Sequence, residues 1–124
     1  MAPRVLLVDD SRTTRAFAAA ALEAGGDVEI TEASTGVEAL KILPRQQFDL
    51  VITDINMPDI NGLELIKFTR THANYKDTPV IIISTEGRDT DQKRALDLGA
   101  NEYITKPFTP DDLVAAVRRH LSKY

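Results

Sequence analysis

The sequence contains no cysteine. Disulfides, thiolate zinc sites and cysteine nucleophiles are therefore excluded. That composition fits a reducing cytosol, so a cytoplasmic location is expected. No apolar run approaches the roughly 20 residues needed to cross a bilayer, so no membrane insertion is expected. The first apolar run, Val5 to Val8, leads directly into Asp9 and lacks the length and cleavage site of a signal peptide. Basic charge is short as well: 15 Lys and Arg face 19 Asp and Glu, for a formal net charge of −4. Such a balance disfavours direct nucleic-acid binding. Internal repeats, linkers and low-complexity stretches are also missing.

What is present suits one soluble domain. The 124 residues are 43% hydrophobic and 27% charged, enough to bury a core without metal or disulfide staples. Apolar, β-branched runs occur at Val5–Val8, Val28–Ala33, Leu50–Ile52, Val80–Ile83 and Tyr103–Ile104. Each reads as a strand. Helical segments alternate with them: Arg12–Ala24 with Ser11 as N-cap and Gly25 as stop, Gly36–Leu43 before Pro44, Leu63–Arg70 after Gly62, and Asp89–Leu98 before Gly99. A last helix opens with Thr109-Pro110-Asp111-Asp112 and carries Leu113, Val114, Val117 and Leu121 as one apolar stripe. Strands alternating with helices predict an α/β fold, a doubly wound parallel sheet with helices on both faces. Strands one, three and four are continuously apolar and belong in the centre. Strand two alternates and strand five is short, so these belong at the edges. The flavodoxin-like order 2-1-3-4-5 meets both demands.

Polar residues gather where the apolar runs end. Strand one ends in Asp9-Asp10, strand three in Asp54 and strand four in Ser84-Thr85, while Lys106-Pro107 follows strand five. In an open parallel sheet these ends share one edge, where ligands bind. Carboxylates held close repel one another, and a hard divalent cation resolves this. Mg2+ suits a few carboxylates together with waters and a phosphate oxygen. An aspartate can also carry an acyl phosphate, and phosphoryl transfer chiefly needs its charge neutralised. Lys106 and a bound cation could supply that, and Ser84 could donate a hydrogen bond. Read as isolated signals, Asp9-Asp10 would be a helix cap, Ser84 a turn hydroxyl and Lys106 a surface lysine. His72 and His120 lack metal-site spacing and are expected exposed near helix ends. The charges from Arg88 to Arg94 are expected on a solvated helix face.

Four segments together resemble the response-regulator receiver family of bacterial two-component systems. They are Asp9-Asp10, Thr53-Asp54-Ile-Asn-Met-Pro58 with Gly62, Ser84-Thr85, and Tyr103-Ile-Thr-Lys-Pro-Phe108. The likeness runs from Val5 to the last helix, and it is to CheY-like receivers. CheY itself has the 2-1-3-4-5 order, so that order and the resemblance are not independent. The resemblance implies that residues 1–124 form a single receiver domain. It implies that Asp54 accepts phosphate from a histidine kinase or phosphotransfer protein. Asp10 and, partly through water, Asp9 would hold Mg2+, with Asp54 and the backbone carbonyl of Asn56. Lys106, followed by a cis bond to Pro107, would contact the phosphoryl group. Ser84 would swing toward it and Tyr103 would rotate inward, repacking the face of helix four, strand five and helix five.

Ser84 stands where threonine is commoner in the family. Thr85 stands where a small residue is frequent, so its bulk is expected to narrow access to Asp54 or restrict Tyr103. Asn56 and Glu86 flank the site as in chemotaxis receivers, which implies a short-lived phosphorylated state. No DNA-binding or enzymatic sequence follows Tyr124, so output is expected through a downstream protein, in chemotaxis or motility. The expected state is a monomer, with dimerisation on phosphorylation left open. The chain would not be an enzyme beyond catalysing its own phosphorylation and dephosphorylation. Alternatives within the family are a phosphorelay intermediate, a receiver belonging to a longer protein, or a docking module without phosphorylation. Outside it stand two rivals. A haloacid-dehalogenase-type phosphatase would want a second aspartate where Asn56 stands, and asparagine cannot act as general acid or base. A flavodoxin-like nucleotide binder would want a glycine-rich loop where Asp9-Asp10-Ser11 stands.

Overall fold

The computed structural model describes residues 2–85 and 89–124, with side chains in the second stretch from residue 91. Glu86 and Arg88 lie outside the described residues. The strands are β1 (Arg4–Val8), β2 (Glu29–Ala33), β3 (Leu50–Asp54), β4 (Val80–Ser84) and β5 (Glu102–Thr105). The helices are α1 (Arg12–Gly25), α2 (Gly36–Ile42), α3 (Gly62–Thr71), α4 (Asp89–Asp97) and α5 (Pro110–His120). All strand pairs are parallel, in the order β2-β1-β3-β4-β5. The expected fold class and strand order are both found.

Alternation along the strands divides the core in two, because successive side chains point to opposite faces. Val5, Leu7, Leu50, Ile52, Ile81 and Ile83 pack with α1 and α5. Leu6, Val8, Val51 and Ile82 pack with residues of α2, α3 and α4 on the other side. Every residue of β3 and β4 is buried, whereas β2 and β5 are buried only in part. Central and edge strands therefore fall where their composition placed them.

Local chemistry sets the ends. Ser11, Thr35 and Asn61 cap α1, α2 and α3 through their side-chain oxygens. Thr109 and Asp112 form a reciprocal capping box at α5. Some boundaries differ from expectation. β3 runs two residues beyond Ile52, because Thr53 and Asp54 stay in register with Ile82 and Ile83. α1 includes Gly25 and is capped by Gly26 instead.

The two histidines need correction: both lie at helix ends, but both are half-buried. His72 sits between the rings of Phe68 and Tyr75, at 5.3 and 5.4 Å. His120 Nε2 lies 3.1 Å from Glu102 of β5. On α4, Gln92, Lys93 and Arg94 are exposed while Ala95 is buried, as a solvated face requires. Among the described residues no helix is long and apolar enough to cross a membrane.

Candidate functional site

The parallel sheet brings the predicted polar residues to one edge. Asp9 follows β1 directly, and its N–H donates to Ala33 O at 3.1 Å, extending the ladder with β2. Asp54 ends β3, in register with Ile83. Ser84 ends β4, opposite Thr105, and is buried. Lys106 follows β5, and its backbone N–H donates to Ser84 O at 2.6 Å. The Lys106–Pro107 bond is cis, as expected.

Asp9 and Asp54 are buried, and Asp10 is exposed. Lys106 Nζ reaches both buried carboxylates, donating to Asp9 Oδ2 at 2.9 Å and Asp54 Oδ2 at 3.2 Å. The second oxygen of each is held by backbone. Ser11 N donates to Asp9 Oδ1 at 2.8 Å and Asn56 N to Asp54 Oδ1 at 3.2 Å. Arg15 donates to the Asp9 carbonyl at 2.7 Å, fixing the chain where it leaves β1. One carboxylate oxygen from each of Asp9, Asp10 and Asp54 lies within 4.8 Å of the others.

The electrostatics are unequal. Burial pushes the Asp54 carboxyl up, the Lys106 charge pulls it back, and Asp9 adds repulsion; the net direction is up. Burial alone would lower the Lys106 ammonium, but Asp9 and Asp54 together outweigh it and raise it. The two results are compatible. Lys106 has two anions for partners, while Asp54 shares one cation with a second anion. Three carboxylates face one ammonium, so negative charge is in surplus. All the converging donors are hard oxygens, the set that a small divalent cation prefers.

Gly62 makes the geometry possible. A Cβ there would stand 2.6 Å from Asp54 O and 2.9 Å from Ile55 Cα, and these backbone atoms cannot swing away. The glycine therefore lets the start of α3 lie directly against the end of β3. Gly62→Ala is expected to destabilise the chain by about 1–3 kcal/mol, as overpacking does. Its urea midpoint should fall; a midpoint equal to wild type would show that the loop yields freely.

Other residues fall around this centre. Thr85 is exposed and lines a cavity of about 450 Å³ with Phe17, Pro107 and Phe108, and Lys106 is in its wall. Tyr103 is half-buried and packs against the core on the α2–α4 side of the sheet. Asn56 is exposed, and its N–H faces Asp54. Several contacts were missed from sequence: Arg15 on the Asp9 carbonyl, Phe17 against Phe108 with ring centres 5.6 Å apart, and Asp59 on the start of α2.

A doubly wound sheet with an acidic trio and one lysine at its carboxyl edge defines a phosphoacceptor class of α/β domain. The model of the response regulator receiver domain matches residues 5–118, and the chain belongs to that family. A chemotaxis protein CheY homolog of Campylobacter jejuni is 43% identical over 111 residues, covering 89% of this chain and 85% of that protein. Chemotaxis protein CheY1 of Helicobacter pylori is 42% identical over 111 residues, covering 89% and 90%. The solved structure of the chemotaxis response regulator CheY4 of Vibrio cholerae superposes with a TM-score of 0.90 at 34% identity, covering 98% of this chain and 100% of that one. The chain is thus a phosphorylation-activated response-regulator switch, a signalling protein and not a conventional enzyme. Receivers of this kind typically bind Mg2+ and work between kinases and downstream targets.

Proposed function

We propose that Asp54 is the phosphoacceptor and that the chain serves a chemotaxis or motility pathway in the cytoplasm. The reading rests on one observation: Lys106 bridges two buried carboxylates, with a third carboxylate beside them. An Asp54 oxygen would attack the phosphorus of a phosphohistidine on a kinase or phosphotransfer protein. A new O–P bond forms, the N–P bond breaks, and the imidazole leaves and takes up a proton.

Asp9, Asp10, Asp54 and the Asn56 carbonyl would hold Mg2+, whose charge would offset that of the phosphoryl oxygens. The Lys106 ammonium would then turn from carboxylate to phosphoryl oxygen, keeping its charge where negative charge accumulates. Ser84, one residue beyond the register partner of Asp54, would donate its hydroxyl to the same group. Tyr103, on the neighbouring strand β5 two residues before the register partner of Ser84, would repack with it. That would give the face of α4, β5 and α5 two states, which a downstream protein would distinguish. Hydrolysis of the acyl phosphate in the same site would reset the switch, with Thr85 and Asn56 bordering the path of the attacking water. The chain would work as one receiver domain and as a monomer before phosphorylation.

Intact-mass measurement after incubation with acetyl phosphate tests this. One phosphoryl adduct is expected with Mg2+ and none with EDTA. A chain that stays unlabelled in Mg2+, with acetyl phosphate and with a histidine-kinase donor alike, would overturn the acceptor reading.

A further inference from the structure

Asn56 lies in the loop between β3 and α3, residues 55–61. The base of this loop is closed by backbone: Gly62 N donates to Ile55 O at 3.0 Å. Its tip is closed by a contact with α2. Asp59 accepts from Gly36 N on Oδ1 at 3.2 Å and from Val37 N on Oδ2 at 3.0 Å. These N–H groups belong to the first turn of α2, which has no intrahelical acceptor for them.

A second contact of different kind reinforces the first. A Cβ on Gly36 would stand 2.5 Å from Ile60 O and 2.8 Å from Ile60 Cβ. The glycine therefore lets α2 lie directly against the loop tip. Meanwhile α2 has a cap of its own. Thr35 Oγ1 accepts from Glu38 N at 3.0 Å, and Glu38 accepts from Ser34 N at 2.9 Å. That cap takes only Glu38 N among the first-turn donors, so the Asp59 contact completes the helix start and ties the loop to it at once. The N–H groups, Val37 first and then Ile60, hold the Asp59 carboxyl below the usual carboxylate range, so it is ionised at neutral pH.

We infer that Asp59 is a positioning residue for the phosphoacceptor site: it clasps the loop tip to α2 and so holds Asn56 against Asp54 for Mg2+ binding. This rests on the proposed role of the Asn56 carbonyl. Along the loop, Met57 and Pro58 separate Asp59 from Asn56. Loss of the clasp should weaken Mg2+ binding by less than loss of a residue hydrogen-bonded to a metal ligand, which costs about 10–100-fold.

Calorimetric titration of the whole chain with MgCl2 tests the inference. Asp59→Ala is expected to raise the Mg2+ Kd about three- to tenfold. Asp59→Asn, which keeps one acceptor oxygen, should raise it less. Gly36→Ala, which breaks the clasp from the α2 side, should match Asp59→Ala and serves if that variant does not fold. In labelling with acetyl phosphate, the Mg2+ concentration for half-maximal rate should rise by the same factor, with the plateau rate kept. A Kd equal to wild type in folded Asp59→Ala, or a lowered melting temperature with unmoved Kd, overturns the positioning role. A wild-type chain that takes no Mg2+ would instead overturn the proposed site, and this inference with it.

Discussion

Asp54→Asn is expected to take up no phosphoryl group under any condition that labels the wild type, and to melt at a higher temperature. The first half follows from chemistry, because an amide oxygen is too weak a nucleophile to form the acyl phosphate. The second half follows from the balance of forces on the carboxylate. Burial and the neighbouring Asp9 push its pKa up by more than Lys106 pulls it down. A group whose pKa is raised on folding stabilises the fold below its unfolded pKa. It loses that contribution as pH rises through the folded value, so at neutral pH the ionised form is a net cost. Asparagine keeps the shape and an oxygen for the Asn56 N–H, while removing the charge. The gain should therefore be clear at pH 7.5 and shrink toward pH 4. Mass spectrometry and melting curves at the two pH values read both effects. A labelled variant would move the acceptor elsewhere, and an equal or lower melting temperature at pH 7.5 would show Lys106 to dominate. A stability gain coupled to loss of activity is the pattern expected where a site has been selected for reactivity.

How far the site could be read before the fold was known depends on the kind of contact. Asp9, Asp54, Ser84 and Lys106 were legible because each directly follows or ends an apolar run, and parallel strands send such ends to one edge. The central and edge places of the strands were legible from composition: Leu50–Ile52 and Val80–Ile83 are unbroken apolar runs, while β2 alternates. Contacts made between segments by their own packing were not legible. Asp59 looks like an ordinary turn aspartate, and its partners lie 22 and 23 residues away on another element. Phe17 and Phe108 stand on segments whose pairing depends on how α1 and the β5–α5 turn meet. His120 reads as a surface residue until the end of α5 is set beside Glu102. Nor does sequence show that one ammonium spans two carboxylates, which needs Asp9 and Lys106, 97 residues apart, to be fixed within hydrogen-bond distance.

Lys106→Met is expected to weaken the metal-free fold and make it depend on Mg2+. Methionine keeps the apolar stem and removes the charge that joins Asp9 and Asp54. Breaking a buried pair from one side costs about 3–5 kcal/mol, because the remaining charge stays buried without a partner. Here Asp54 can take up a proton, and Lys106 is its largest downward influence, so its loss moves that carboxyl further up. Protonation limits the cost to about 2–3 kcal/mol at neutral pH, or roughly 10 °C in melting temperature. The sign with pH is fixed by the same linkage. The penalty requires the ionised carboxylate, so it should grow as pH rises through the folded pKa and fade in acid. Mg2+ can replace the lost cation, and no ammonium now competes for the oxygens of Asp9 and Asp54. The variant should therefore gain more melting temperature from Mg2+ than the wild type does. Labelling with acetyl phosphate should persist at a reduced rate, since Asp54 is intact, but a downstream partner should no longer bind the phosphorylated form more tightly. Scanning calorimetry in EDTA and in MgCl2, at pH 5.5 and 8, separates these effects. Equal stability of variant and wild type in EDTA at pH 8 would mean that the bridge contributes nothing to folding. A normal rise in partner affinity on phosphorylation would leave Lys106 outside the coupling.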